Sequence, residues 1–153
     1  MIGQFKHFTE NINLVPMGGS TSISFKWELA KRMEEKWLQY EKPITILYFG
    51  DEDLAGHEIE RTISRDVRHW SKAEFNIVRC GLTEDQIAKY GVPISYEGKG
   101  YQWEALEDAQ AKEIIKESIS KYINLRLVHD VKIESYELRE RIDEAIDEMV
   151  EDL

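Results

Sequence analysis

A six-residue segment without a charged side chain constrains the fold of this chain more than any other feature. The segment Ile44–Phe49 reads ITILYF and is β-branched, aromatic or aliphatic on both of its alternating faces. A strand of this kind is buried on both sides, as in a sheet that lies between layers of helices. The segment therefore predicts an α/β fold.

Strand, loop and helix patterns recur around this segment. Asn13 to Met17 reads as a strand, and Phe75 to Cys80 reads as another. Apolar residues at helical spacing follow each loop; they are Ile23, Trp27, Ala30, Met33 and Trp37 in one helix and Ile59, Ile63, Val67 and Trp70 in the next. Strands joined by crossover helices run parallel, so these patterns predict an open, mainly parallel sheet of at least three strands with helices on both faces. Thr83 is the expected cap of a further short helix.

The end of the chain is expected to be helical, because no Gly or Pro follows Gly100. One helix is predicted from Ala105 to Ile123 and a last one from about Ser135 to Leu153. We divide the chain into an α/β domain, residues 1–124, and a helical extension, residues 125–153. The last helix carries an apolar stripe at steps of three and four, made of Leu138, Ile142, Ile146, Met149 and Leu153. The stripe favours packing within the chain, with a homodimer through this helix as the alternative.

The charge balance limits the kinds of partner. Lys and Arg total 20 against 30 for Asp and Glu, a net charge of -10, which argues against a free-standing binder of the phosphate backbone. A nucleic-acid role must then be local, metal-assisted or shared with a partner. The single cysteine, Cys80, is expected to be buried, and it predicts a reducing cytoplasm rather than a disulfide framework. No apolar run approaches the length of about 18 residues that a membrane span needs.

Three acids follow the Ile44–Phe49 strand directly. Because ligands gather at the carboxyl ends of strands in open α/β sheets, Asp51 and Asp53 are candidate ligands of Mg²⁺, with Glu52 pointing away. An acidic turn that caps the next helix is the alternative. The nearby His57 is a candidate phosphate or metal contact, although a surface position is the more common one for such a residue.

Other polar residues have a structural and a functional interpretation. Three consecutive hydroxyl residues at a helix start predict either a phosphate-binding loop or N-cap residues; they are Ser20, Thr21 and Ser22. The middle of the chain has a basic character that favours a solvated, salt-bridged face over a nucleic-acid surface; its members are Arg61, Arg65, Arg68, Lys72 and Arg79. Tyr101 and Trp103 are expected to pack in the core rather than to stack on bases.

The segment Ile46–Gly56, ILYFGDEDLAG, resembles the Asp-x-Asp-x-x-Gly motif of Toprim domains, which topoisomerases, bacterial-type primases and certain nucleases share. It is most similar to the group of the topoisomerase VI A subunit and of phage and bacterial Toprim proteins. Three further segments resemble elements of that group in order, namely VPMGGSTS at 15–22, VRCGLTEDQI at 78–87 and YQWEAL at 101–106. The resemblance covers residues 11 to 123.

The resemblance implies a Rossmann-like Toprim fold and a Mg²⁺ or Mn²⁺ cofactor held by Asp51 and Asp53, which would also be the catalytic residues of a nuclease-type phosphodiesterase. Gly56 would be the motif glycine, and Glu104 and His57 would be auxiliary residues. The residues facing phosphate would be Gly18, Gly19, Ser20 and Ser22.

Two departures weaken the catalytic interpretation. The family has a glutamate at the end of its first strand, and the resemblance implies that this chain starts after it. Leu54 and Ala55 replace the usual Pro-Ser pair. Two hypotheses follow. The chain is either a Mg²⁺-dependent domain that processes nucleic-acid phosphodiesters, with a partner protein or a preceding region, or a non-catalytic interaction or regulatory module that retains the Toprim fold.

Overall fold

The computed structural model describes Phe5 and residues 12–17 and 22–151. The chain divides into two compact units, residues 1–118 and residues 119–153. The described part of the chain contains no helix that is both long enough and apolar enough to cross a lipid bilayer.

The first unit alternates helices with short strands. In chain order the elements are α1 (Ile23–Tyr40), β1 (Ile44–Phe49), β2 (Glu52–Asp53), α2 (Leu54–Trp70), β3 (Phe75–Gly81), α3 (Glu84–Tyr90), β4 (Gly100–Tyr101) and α4 (Asp108–Ser120), the last of which continues into the second unit. The predicted α/β class is confirmed. Thr83 caps α3 as expected, in a capping box with Gln86.

The parallel ladder is narrower than predicted. β1 pairs with β3 in parallel, with Ile44 opposite Phe75, while β2 pairs with β4 in an antiparallel ladder. Within the described residues each sheet has two strands, so the prediction of at least three strands in one sheet was wrong. Asn13 to Met17 lies outside any strand. Pro16 removes one of the amide donors that a ladder needs in this segment, although Met17 still packs against the core.

Apolar side chains cover both faces of the β1–β3 ladder. On one face Tyr48 of β1 packs with residues of α1 and α2, among them Ala30, Met33, Ile63 and Val67. On the other face the Phe49 ring meets the Trp103 ring edge to face, with 5.7 Å between centroids. Both faces of β1 are therefore covered by apolar side chains, as the sequence predicts.

The first turns of α1 are more exposed than the helical pattern predicts. Ala30 and Met33 are buried, but Ile23 is 71% exposed and Trp27 is 49% exposed. Here α1 contacts α2 through an ion pair, in which Lys26 Nζ lies 2.9 Å from Asp66 Oδ2. The apolar spacing is thus correct for a helix, whereas only its later turns face the core.

The second unit contains one long helix, α5 (Leu125–Glu151). It begins about ten residues before the predicted start at Ser135, because the Asn124 side chain accepts hydrogen bonds from the backbone N–H groups of Arg126 and Leu127, both at 3.2 Å. Asn is a favoured N-cap residue, and this was the signal that marked the true start. Of the predicted stripe, Leu138 and Ile142 are about half exposed, while the side chains of Met149 and Leu153 lie outside the described residues.

Candidate metal and phosphate site

The acidic turn lies at the carboxyl end of the parallel ladder, as predicted. Gly50 follows β1 directly, and its N–H donates to the carbonyl of Gly81 at 2.6 Å, while Leu82 N–H donates to the carbonyl of Gly50. These bonds tie the ends of β1 and β3 together. Asp51 comes next, and Asp53 closes β2 where α2 begins.

Asp51 is partly buried and is held by the backbone of a distant segment. Its Oδ1 accepts a hydrogen bond from Trp103 N–H at 2.7 Å. Burial raises the pKa of Asp51 above its ordinary value, and the negative charges of Glu104 and Asp53 raise it further, against the opposing effects of the Trp103 hydrogen bond and Arg79. The carboxyl group therefore lies where negative charge is unfavourable.

Asp53 caps helix α2. Its Oδ1 accepts a hydrogen bond from Gly56 N–H at 2.7 Å, which satisfies one of the free N–H groups at the helix start. The alternative predicted for this turn, an acidic cap, is thus present. Within the described part of the chain, the Oδ2 atoms of Asp51 and Asp53 accept no hydrogen bond.

Glu52 points toward Arg79, a partly buried arginine that was expected to lie on a basic, solvated face. The Arg79 guanidinium lies 3.1 Å from Glu52 Oε2 and 2.8 Å from Glu60 Oε2, and it also donates to the carbonyls of Leu82 and Asp51. Its side chain is 14% exposed. Arg79 therefore connects β2, β3 and α2 and fixes the backbone at Asp51.

The other arginines of the middle segment fit the solvated face that was expected. The Arg61 side chain is 76% exposed and pairs with Glu58 one turn earlier in α2. His57 also lies at the surface, where its Nε2 is 2.7 Å from Glu52 Oε1. Glu104 is exposed and acts on Asp51 through its charge.

Gly56 has a clear steric role. A Cβ at this position would collide with the backbone carbonyl of Asp51, and the Gly56 carbonyl accepts a hydrogen bond from Tyr48 Oη at 2.9 Å. Because a backbone atom cannot move away as a side chain can, the close approach of α2 to the acidic turn requires glycine.

The predicted phosphate loop is described in part. Gly18, Gly19, Ser20 and Thr21 lie outside the described residues. Ser22 is the N-cap of α1, and its hydroxyl accepts a hydrogen bond from Phe25 N–H at 3.2 Å. For this residue the N-cap interpretation is confirmed.

The donor set at the turn suits a hard cation. Mg²⁺ is commonly held by one or two carboxylates with water molecules at its other positions, and Asp51 and Asp53 could supply these two carboxylates. Among the described residues, no group of three or more His, Cys, Asp or Glu side chains is placed to hold a metal ion. A cation at this turn would have Asp51 and Asp53 as its protein ligands and water at its other positions.

Removing the charge of Asp51 is expected to stabilise the fold at neutral pH. The folded protein binds a proton at Asp51 more tightly than the unfolded chain does, so ionisation above the ordinary value of 3.8 costs stability. We expect Asp51→Asn, which keeps an oxygen for Trp103 N–H, to have a higher free energy of unfolding than wild type at pH 7. The difference should shrink as the pH falls toward 4, in urea titrations.

Asp66 provides a control with the opposite sign. Burial raises its pKa, but hydrogen bonds from Lys26 and Arg65 outweigh burial and hold the pKa below the ordinary value. Asp66→Asn should therefore be less stable than wild type at pH 7, and its deficit should close as the pH falls. A pH-independent effect of Asp51→Asn would contradict the prediction.

Comparison with protein-family models, with curated proteins and with solved structures gives no match to this chain.

Proposed function

We propose that this chain is a Toprim-like domain that binds Mg²⁺ or Mn²⁺ through Asp51 and Asp53 and acts on nucleic-acid phosphodiesters. The observation that carries the proposal is the partly buried carboxyl group of Asp51, which lies at the carboxyl end of a parallel strand with its pKa raised. Sites of this kind are enriched at functional positions of proteins. A divalent cation would relieve the repulsion among Asp51, Asp53 and Glu104.

Two backbone contacts prepare the carboxylates for a cation. The N–H groups of Trp103 and Gly56 each hold one oxygen, at 2.7 Å in both cases, and leave the second oxygen of Asp51 and of Asp53 for a ligand. The Arg79 guanidinium donates a hydrogen bond to the carbonyl of Asp51 and so fixes the backbone of the turn. A bound Mg²⁺ would supply charge neutralisation at a phosphodiester. Because the net charge is -10, a partner protein or further chain would have to supply much of the attraction for nucleic acid.

A non-catalytic interaction or regulatory module is the second candidate. The observation in its favour is that both aspartates have structural roles, since Asp51 anchors the Trp103 segment and Asp53 caps α2. These roles account for the two residues without any metal.

Mg²⁺ titration of the protein separates the two candidates. A cation that binds the folded state stabilises it by RT ln(1 + [L]/Kd), or about 2.7 kcal/mol at a concentration of 100 Kd. We expect saturable binding by calorimetry and a matching rise in thermal stability. The double variant Asp51→Asn/Asp53→Asn keeps oxygen acceptors for Trp103 N–H and Gly56 N–H, removes both charges, and should abolish both signals.

The exposed acids in the first turn of α3 provide a matched control. Glu84→Gln/Asp85→Asn removes the same number of charges from another helix start and should leave binding unchanged. If wild type shows no saturable binding at 10 mM Mg²⁺ or Mn²⁺, the catalytic proposal is overturned and the interaction module remains. If binding is found, cleavage of single- and double-stranded nucleic acid is the next assay.

A further inference from the structure

A buried phenylalanine, Phe5, completes an aromatic cluster beside the acidic turn. Its side chain is 5% exposed. The Phe5 ring meets the Phe49 ring edge to face, with 5.1 Å between centroids, and lies at 22° to the Trp103 ring, with 6.4 Å between centroids. Because Phe49 and Trp103 also contact each other, the three rings form a closed triangle, here called the Phe5 cluster. Ring pairs at these separations attract each other beyond the effect of buried area alone.

The other two members of the Phe5 cluster fix Asp51. Phe49 is the last residue of β1 and precedes Asp51 by two positions, so its packing fixes the start of the acidic turn. Trp103 donates its backbone N–H to Asp51 Oδ1 at 2.7 Å, so it orients the carboxyl group. Phe5 therefore contacts both the residue that leads into the turn and the residue that holds the Asp51 side chain.

The Phe5 cluster lies on the face of the β1–β3 ladder opposite the core that α1 and α2 cover. That core contains Tyr48, Val67 and Phe75. The Phe49 side chain points to the other face, because successive side chains of a strand face opposite sides. Loss of the Phe5 ring should therefore remove packing beside Trp103 and leave the α1 and α2 side of the ladder in place.

We propose that Phe5 is a positioning residue for Asp51, whose ring holds the Trp103 segment against the end of β1 so that Trp103 N–H stays on Asp51 Oδ1. The inference deepens the proposed function, on which its consequence for a cation rests. Loss of a hydrogen-bond partner that orients a metal ligand typically lowers metal affinity about 10- to 100-fold. Because Phe5 acts on Asp51 through Trp103, we expect the lower end of this range.

Hydrogen exchange of single backbone amides, measured by NMR, tests the positioning role. In Phe5→Ala we expect the Trp103 amide to exchange about tenfold faster than in wild type, because its bond to Asp51 opens more often. The amide of Val67, which is buried in α2, should change much less. A general loss of stability would speed up exchange at both amides, so the ratio of the two rates separates positioning from destabilisation.

Phe75→Ala is the matched control. It removes the same side chain, at 6% exposure, from the opposite face of the ladder, and should speed up exchange at Val67 at least as much as at Trp103. Phe5→Leu keeps most of the apolar volume and should restore most of the Trp103 protection. Phe5→Val, a smaller truncation, carries the same expectation as Phe5→Ala if the alanine variant does not fold.

Mg²⁺ titration of the same variants tests the consequence for the site. Phe5→Ala should bind Mg²⁺ about tenfold more weakly than wild type, whereas Phe5→Leu and Phe75→Ala should stay close to the wild-type affinity. If wild type binds no Mg²⁺, the proposed function fails, and the exchange ratio still decides whether Phe5 positions Asp51. An unchanged exchange ratio in Phe5→Ala, or a Mg²⁺ affinity equal to that of wild type, would overturn the proposal.

Discussion

Replacing Arg79 with alanine is expected to lower the free energy of unfolding by about 1.5 to 3 kcal/mol, the range for hydrogen bonds to charged groups. The Arg79 side chain is 14% exposed and contacts both Glu52 and Glu60. Its removal takes the arginine donor away from Glu52 Oε2, from Glu60 Oε2 and from the carbonyls of Asp51 and Leu82. Urea unfolding followed by circular dichroism measures the loss.

Arg61→Ala is the matched control, since Arg61 makes a single ion pair with Glu58 and is 76% exposed. Such surface pairs contribute about 0.2 to 1 kcal/mol. A triple variant, Arg79→Met/Glu52→Gln/Glu60→Gln, removes the charges together and should recover part of the stability. Equal losses for Arg79→Ala and Arg61→Ala would show that Arg79 has no special role in the fold.

Trp103→Ala is the second substitution with a large expected effect, a loss of about 3 to 5 kcal/mol in the free energy of unfolding. Trp103 is 1% exposed, and its ring packs on Phe49 with 5.7 Å between centroids. It also fills the space beside Gly81, where an added Cβ would lie 2.5 Å from Trp103 Cζ3. The hydrogen bond to Asp51 comes from the Trp103 backbone, so alanine can still make it.

The control for this loss is another tryptophan. Trp27 in α1 is 49% exposed, and Trp27→Ala should cost under about 1 kcal/mol because less apolar surface returns to water. Thermal and urea unfolding of both variants, together with tryptophan fluorescence, give the comparison. A Trp103→Ala protein as stable as Trp27→Ala would contradict the packing described for the second face of the ladder.

Local signals account for the parts of the fold that the sequence predicts. The alternating pattern of Ile44–Phe49 and of Phe75 to Cys80 predicts β1 and β3, and Thr83 predicts the start of α3, because strand burial and helix capping depend on neighbouring residues. Asp53 as a cap is predictable in the same way. The position of the acidic turn is also predictable, because its residues follow β1 directly in the sequence.

Contacts between distant segments account for what sequence interpretation missed. The role of Arg79 depends on Glu52 and Glu60, which lie 27 and 19 residues away along the chain, and no local pattern distinguishes it from the exposed Arg61. Ile23 and Trp27 have the correct helical spacing but are exposed. Their burial depends on how far other elements pack along α1, which helical spacing alone does not predict. The link from Trp103 to Asp51 spans 52 residues and likewise has no local signal.

Asp53 caps α2 and is also a proposed cation ligand, and the two roles make different demands on the residue at this position in related sequences. Asn and Ser cap a helix about as well as Asp does, and Thr somewhat less well, but none of the three carries a charge. Selection for the helix start would therefore leave a mixture of all four residues. Selection for a cation ligand would leave Asp alone, so natural variation at this position separates the two roles without an assay.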